Sequence, residues 1–170
     1  MTRSQRIVAI GAISGATAML LTMYGLYQLL PPASGSSTLA SRIGYALVAN
    51  LIASLPLLAA IASVGNARAT SEAIDPTLGK ESRSTMIDGR VADNTLQQFV
   101  LFSAATLALS INLSGTNQQI IGAAAGTFVA ARILFWIGYR LNPLYRAAGF
   151  AATFYLNLGL IIGALWLAIR

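Results

Sequence analysis

The sequence predicts an all-α membrane protein, and both its composition and the length of its apolar runs support this fold class. Hydrophobic residues make up 56% of the 170-residue chain and charged residues only 9%, whereas soluble domains carry about 25% charged residues. Five apolar runs, each close to the ~20 residues that a helix needs to cross a bilayer, follow one another along the chain. Strands are not expected, because an open sheet leaves backbone groups unpaired in lipid.

The runs and their joins define one integral membrane domain, 1–170. The runs cover 7–30, 43–65, 91–112, 118–141 and 146–169. Pro31 and Pro32 end the first run and Pro143 precedes the fifth, since proline cannot continue a helix but fits its first turn. The first run is longer than the apolar core of a signal peptide, so we expect a retained N-terminal span; cleavage after it is the alternative.

Basic residues are distributed unevenly between the joins, and this bias predicts the orientation. With five spans, eight basic residues fall on one side and two on the other. The larger group comprises Arg3, Arg6, Arg68, Lys80, Arg83, Arg90, Arg140 and Arg146, and the smaller one Arg42 and Arg170. Because cytoplasmic loops are enriched in Lys and Arg, we predict a cytoplasmic N-terminus and an outside C-terminus.

Charge and residue types restrict the chemistry. The net charge is +6, but the basic residues are scattered at the ends of apolar runs, so membrane lipids and small anions are expected partners and nucleic acid is not. The chain has no Cys and no His. Thiolate nucleophiles, histidine acid–base catalysis and Cys/His metal sites are therefore excluded, and no metal site is predicted.

Arg132 is the most informative residue of the apolar runs. It lies about nine residues before the end of the fourth run, which places it ~14 Å deep at ~1.5 Å per residue. A charge at such depth costs at least ~2.5–3.5 kcal/mol and usually faces protein. Since no Asp or Glu follows Asp93, the carbonyl oxygens of Asn94, Gln97 and Gln98 are the expected partners, together with an anionic ligand.

Other polar residues are spaced to share helical faces near Arg132. On the third helix Arg90, Asn94 and Gln97 stand at i, i+4 and i+7, and on the fourth Arg132 and Tyr139 stand seven apart. Arg146 follows one turn of loop later. Three arginines and a tyrosine are thus predicted to converge on an anion. The alternative is that Arg90, Arg140 and Arg146 only reach lipid headgroups, with Arg140 the clearest such case.

Two stretches resemble a known family. "RVADNTLQQ" is similar to the Arg-x-x-x-Asn-x-x-Glu pattern of the membrane-associated proteins in eicosanoid and glutathione metabolism, the MAPEG superfamily. "RILFWIGYRLNPLYR" resembles the family's third helix, turn and fourth helix start. The resemblance covers residues 43–169 and implies a four-helix MAPEG-like bundle, with 7–30 as an extra N-terminal transmembrane helix of a divergent, bacterial-type member in the inner membrane.

The resemblance also implies a function. Family members are homotrimers whose glutathione site lies between subunits and whose lipophilic small-molecule substrate arrives from the bilayer. Glutathione would be the cofactor, bound by Arg90, Asn94, Gln97, Arg132 and Tyr139. Arg146 would be catalytic, because a guanidinium near the glutathione thiol lowers its pKa and stabilises the thiolate. The implied activity is that of a glutathione-dependent transferase or peroxidase acting on lipophilic electrophiles.

Three positions depart from the family pattern and keep an alternative open. The family Glu is Gln97 here, which removes a charge that would meet the ligand's amino group. Gln98 replaces a frequent aromatic residue, and Phe135 lacks the hydroxyl of a family Tyr. The alternative is a non-catalytic lipid- or partner-binding membrane protein of the same fold. A transporter is the weakest hypothesis, since the spans show no inverted repeat and no acidic relay.

Overall fold

A computed structural model describes residues 1–33 and 38–170, and in these ranges it contains five long helices and no strand. The helices are α1 (Arg3–Leu29), α2 (Leu39–Ala69), α3 (Arg83–Asn112), α4 (Gln119–Leu141) and α5 (Arg146–Ile169). Each predicted run therefore corresponds to one helix, and the all-α prediction is confirmed. The loop predicted after Pro32 lies partly outside the described residues.

Local capping explains where three of the helices begin. The Thr2 side chain accepts from the backbone N–H of Gln5, whose own side chain accepts from Thr2, which forms a capping box. Thr38 caps α2 and Ser82 caps α3 in the same backbone position. Because Ser82 starts α3 well before the apolar run, the first turns of this helix are polar.

Four of the described helical segments are long and apolar enough to cross a bilayer, and α3 falls short. The sequence predicted five spans of equal standing, so this is a difference. Polar residues lie on both faces of α3: Thr95 and Gln98 are buried, and Arg90, Asp93 and Gln97 are exposed. The two buried residues hydrogen-bond to side chains of α4 and α5, so part of the low apolarity of α3 reflects polar packing inside the protein.

The helix α4 packs against each of the other four long helices, while α2 packs mainly on α3 and α1 on α5. The centre of the core is aromatic, with the rings of Phe102 and Phe128 4.8 Å apart. Most of the remaining core residues are alanines, which lets the backbones approach closely. Asn50 of α2 is buried and pairs with α3, donating to Thr106 at 2.9 Å.

Glycines on both sides of the contact seat α1 on the bundle. A Cβ at Gly15 would overlap the backbone of Ala148 at the start of α5. A Cβ at Gly126 of α4 would meet the Leu26 side chain at 2.7 Å, whereas one at Gly122 would overlap the Tyr45 hydroxyl of α2 and lie 3.3 Å from Leu30. The stretch "GAISG" (Gly11–Gly15) of α1 thus contacts the start of α5, and Gly126 of the stretch "GAAAG" in α4 contacts α1, which makes α1 an integral part of the bundle.

Candidate functional site

One end of the bundle brings together the start of α1, the start of α3, the end of α4 and the start of α5; we call it the basic end. An open cavity of about 330 Å³ lies there. It is lined by Val8, Asn94, Phe135, Pro143, Leu144, Arg146, Ala147 and Phe150. This volume is at the lower limit of small-molecule sites, which run from about 300 to 1,000 Å³.

Arg146 supplies the positive charge of this cavity. It is the first residue of α5, where the partial positive charge of the helix N-terminus adds to that of the guanidinium. No side chain caps this helix. The lining residues include no Asp or Glu, so the polar groups of the cavity are one guanidinium, one amide and the backbone.

Tyr139 lies between two predicted site arginines. Its hydroxyl accepts a long, weak hydrogen bond of 3.4 Å from Nη1 of Arg90, and the Arg146 guanidinium carbon lies 4.9 Å from its ring centroid. The ring is 4% exposed and packs edge-to-face on Phe135. Arg90, Tyr139 and Arg146 are therefore brought together as the spacing predicts.

A second, smaller cavity of about 160 Å³ lies on the Arg90 side of Tyr139. Its lining includes Arg83, Arg90 and Tyr139, and it shares Pro143 with the larger cavity. The two cavities flank the turn between α4 and α5. The basic end thus offers two adjoining recesses on either side of one tyrosine.

Arg132 points inward and is 1% exposed. Its Nε donates to Thr95 at 3.2 Å, Nη1 to Thr153 at 3.1 Å and Nη2 to Asn94 Oδ1 at 3.0 Å. The guanidinium carbon also lies 4.0 Å from the Phe135 ring centroid. The described partners are neutral, in line with the predicted lack of an acidic partner, but only Asn94 of the predicted three is among them.

Gln97 and Gln98 have other environments than predicted. Gln97 is exposed on the outer face of α3, and none of the described hydrogen bonds involves it. Gln98 is buried, and its Oε1 accepts from Asn157 at 2.9 Å. The stripe of Arg90, Asn94 and Gln97 is therefore divided, because Asn94 turns toward Arg132 while Gln97 faces away from the bundle.

A buried carboxylate was missed by the sequence analysis. Asp88 is 2% exposed and accepts from Ser63 at 2.6 Å, from Trp136 Nε1 at 2.7 Å and from Arg140 Nε at 3.0 Å. Arg140 also forms an ion pair with it. The prediction that Arg140 only reaches lipid headgroups is wrong, because Arg140 pairs with Asp88. Asp88 lies on α3, 52 residues earlier in the sequence, and helical spacing could not have indicated this partner.

The environment of Asp88 keeps it ionised. Burial raises the pKa of the Asp88 carboxyl, but the hydrogen bonds from Arg140, Ser63 and Trp136 lower it by more, so the net pKa lies below the ordinary value. This carboxylate joins α2, α3 and α4 beside the cavities. It acts as a structural clamp that holds the end of α4, and with it Tyr139, in place.

The fold and site define a class of protein: a multi-pass membrane bundle with a basic recess at one end. A family model described as the MAPEG family matches residues 43–166, and the chain belongs to that family. The matched range covers most of α2 to α5 and begins after α1. The resemblance inferred from the two stretches is thereby confirmed.

Two relatives carry the same name. The chain is 24% identical over 163 residues to Transmembrane protein 79 of Mus musculus, covering 93% of this chain and 41% of the relative. It is 25% identical over 151 residues to Transmembrane protein 79 of Bos taurus, covering 86% and 38%. The chain thus spans about two fifths of these relatives. No solved structure matches.

Proposed function

We propose that the protein binds glutathione at the basic end and uses its thiolate against lipophilic electrophiles. The observation that carries this proposal is the composition of the larger cavity: Asn94 and Arg146 face it, six of its eight lining residues are apolar, and none is acidic. Such a site suits an anionic peptide next to a hydrophobic acceptor. The family membership supports it, because the matching positions of the family pattern bind glutathione.

The proposed chemistry needs no nucleophile from the chain. Arg146 stabilises the glutathione thiolate, since an opposite charge nearby favours the ionised thiol. In the transferase reaction the sulfur forms a bond to the electrophilic carbon, and the leaving group departs with the bonding electrons. In the peroxidase reaction two glutathione molecules are oxidised to the disulfide while a lipid hydroperoxide is reduced to alcohol and water.

We further propose that the site is completed by other copies in a homotrimer. Arg90, Asp93 and Gln97 are exposed along one face of α3, which continues toward Ala104 and Ala108. None of the ion pairs among the described residues includes Asp93. Polar groups facing lipid are costly, whereas a second α3 would cover them and could pack closely at the alanines.

We also place the protein in a multi-pass membrane setting with the basic end in the cytoplasm, in a bacterial inner membrane. Glutathione is hydrophilic, so the recess must open to an aqueous side. The excess of basic residues at this end supports the cytoplasmic side. Reaction of single-cysteine variants at Ser4 and at Arg170 with a membrane-impermeant maleimide tests this. Labelling of the position-4 variant in intact cells would contradict the orientation.

The direct test is glutathione binding by the purified protein. At 100 times its dissociation constant, glutathione should stabilise the native state by about 2.7 kcal/mol, seen as a rise in Tm. Conjugation of glutathione to chlorodinitrobenzene, followed by absorbance, tests the transferase activity. Stabilisation without conjugation would favour binding alone, and a null result in both assays would contradict the proposal.

The second candidate is a non-catalytic protein that binds an anionic lipid or a partner. The same apolar lining favours it, because an acyl chain fits against Val8 and Phe150 while Arg146 meets the headgroup. Native mass spectrometry of the protein released from detergent would distinguish the two. A co-purified phospholipid displaced by Arg146→Ala supports lipid binding, and a bound tripeptide supports the first proposal.

A further inference from the structure

The contact between Arg132 and Asn94 has a consequence for the larger cavity. A guanidinium has five N–H donors and no acceptor. The Asn94 atom that faces Arg132 Nη2 at 3.0 Å must therefore be the amide oxygen, and not the nitrogen. The orientation of the Asn94 amide is therefore fixed, because the guanidinium can pair with the amide oxygen and cannot pair with the amide nitrogen.

The other end of the Asn94 amide is left without an internal partner. None of the hydrogen bonds among the described residues uses its Nδ2, and the side chain is half-buried and lines the larger cavity. Two N–H donors are thus available at the cavity wall. Arg146 lines the same cavity, so each polar side chain that lines the cavity presents donors.

Arg132 does not line the larger cavity but lies buried behind two residues that do, Asn94 and Phe135. Its three described hydrogen bonds end on Asn94, Thr95 and Thr153, and Phe135, which lines the cavity, covers its face at 4.0 Å. Because it is 1% exposed and its partners are neutral, its charge is not cancelled by a contact and adds to the positive potential in front of it.

We propose that Arg132 is a positioning residue: it holds the Asn94 amide with its N–H groups in the cavity, so that the bound molecule must place an oxyanion there, next to Arg146. This deepens the proposed function and rests on it only for the choice of glutathione as ligand. Glutathione has two carboxylates that fit this requirement. The role of Arg132 is then to select and orient the ligand without touching it.

The experiment uses Asn94→Asp in the full-length protein, with Asn112→Asp at the exposed opposite end of α3 as the control. The new carboxylate still accepts from Arg132, so the variant should fold. Its desolvation cost opposes the Coulombic gain, and Tm therefore serves only to confirm folding. At the same time the cavity loses its two donors and gains a negative charge, so glutathione affinity should fall at least about tenfold. The control should leave the glutathione affinity unchanged. Its Tm should fall slightly, because Asp at the last residue of α3 loses the hydrogen bond from Asn112 to the Ala108 carbonyl and opposes the helix dipole.

Each outcome is decisive. A glutathione affinity of Asn94→Asp equal to that of the wild type would make the contact between Arg132 and Asn94 merely structural and would overturn the inference. Dodecyl phosphate serves as a second probe. If the wild type binds dodecyl phosphate and not glutathione, the proposed function fails while the same comparison still tests Arg132. If it binds neither anion, the inference is overturned as well.

Discussion

Gly15 of α1 lies directly against the backbone of Ala148 in the first turn of α5, with no space for a side chain between them. This contact attaches the N-terminal helix next to the larger cavity, where Val8 of α1 forms part of the wall. Although α1 lies outside the residues matched by the family model, it therefore contributes a wall residue to the larger cavity. Substitutions in α1 should consequently affect both stability and ligand binding.

The first prediction concerns this contact. Gly15→Ala should lower the free energy of unfolding by about 1–3 kcal/mol, because the new Cβ forces the two backbones apart. Gly25 lies in the same helix with nothing within 4 Å of an added Cβ, so Gly25→Ala is the matched control and should be neutral or stabilising by up to about 1 kcal/mol. Unfolding of both variants in mixed micelles by increasing SDS measures the difference, and equal effects would contradict the close seating of α1.

The second prediction concerns the Asp88 clamp. Because the folded-state pKa of Asp88 is depressed, its stabilising contribution is complete above the unfolded pKa of about 3.9 and is lost as the pH falls through the folded value. Tm should therefore drop steeply below pH about 4 in the wild type. Asn at this position leaves Arg140 without its carboxylate, so Asp88→Asn should be less stable at neutral pH and lack this steep drop. Glu72→Gln, at an exposed position between α2 and α3, is the control, and an identical acid response of both variants would refute the clamp.

The third prediction concerns Arg146. Arg146→Ala should raise the pKa of bound glutathione thiol, so conjugation slows more at neutral than at alkaline pH, while binding falls only modestly. The thiolate absorbance of the glutathione complex and the pH profile of kcat measure the two effects. Arg170→Ala at the opposite end of the bundle should leave both unchanged. Equal loss of binding and rate at all pH values would remove the assigned role.

The fourth prediction concerns the outer face of α3. The chain has no Cys, so a single Ala104→Cys variant can form a disulfide only between copies. If α3 faces its equivalents near the trimer axis, mild oxidation should give a cross-linked dimer band at this position. Leu165→Cys, exposed on α5, should not cross-link. Efficient cross-linking at position 165 alone would place the interface on another face.

Several features were predictable because they depend on local spacing. The five helices followed from run lengths, and the family from two short stretches that the family model later matched. The approach of Tyr139 and Arg146 followed from their spacing across one short turn, whereas the contact of Arg90 with Tyr139 depends on how α3 and α4 pack. The partner of Arg140 was not predictable, since Asp88 is 52 residues away and the contact depends on how α3 and α4 cross.

The sequence by itself determined that this chain is a helical membrane protein of the MAPEG family, because hydrophobic run length and the order of polar residues along a helix are properties of the chain alone. Only the tertiary structure decided which polar residue faces which. Asn94 turns to Arg132 and Gln97 turns outward although both lie on one stripe, because the crossing of neighbouring helices, and not periodicity, determines which side of a stripe is covered.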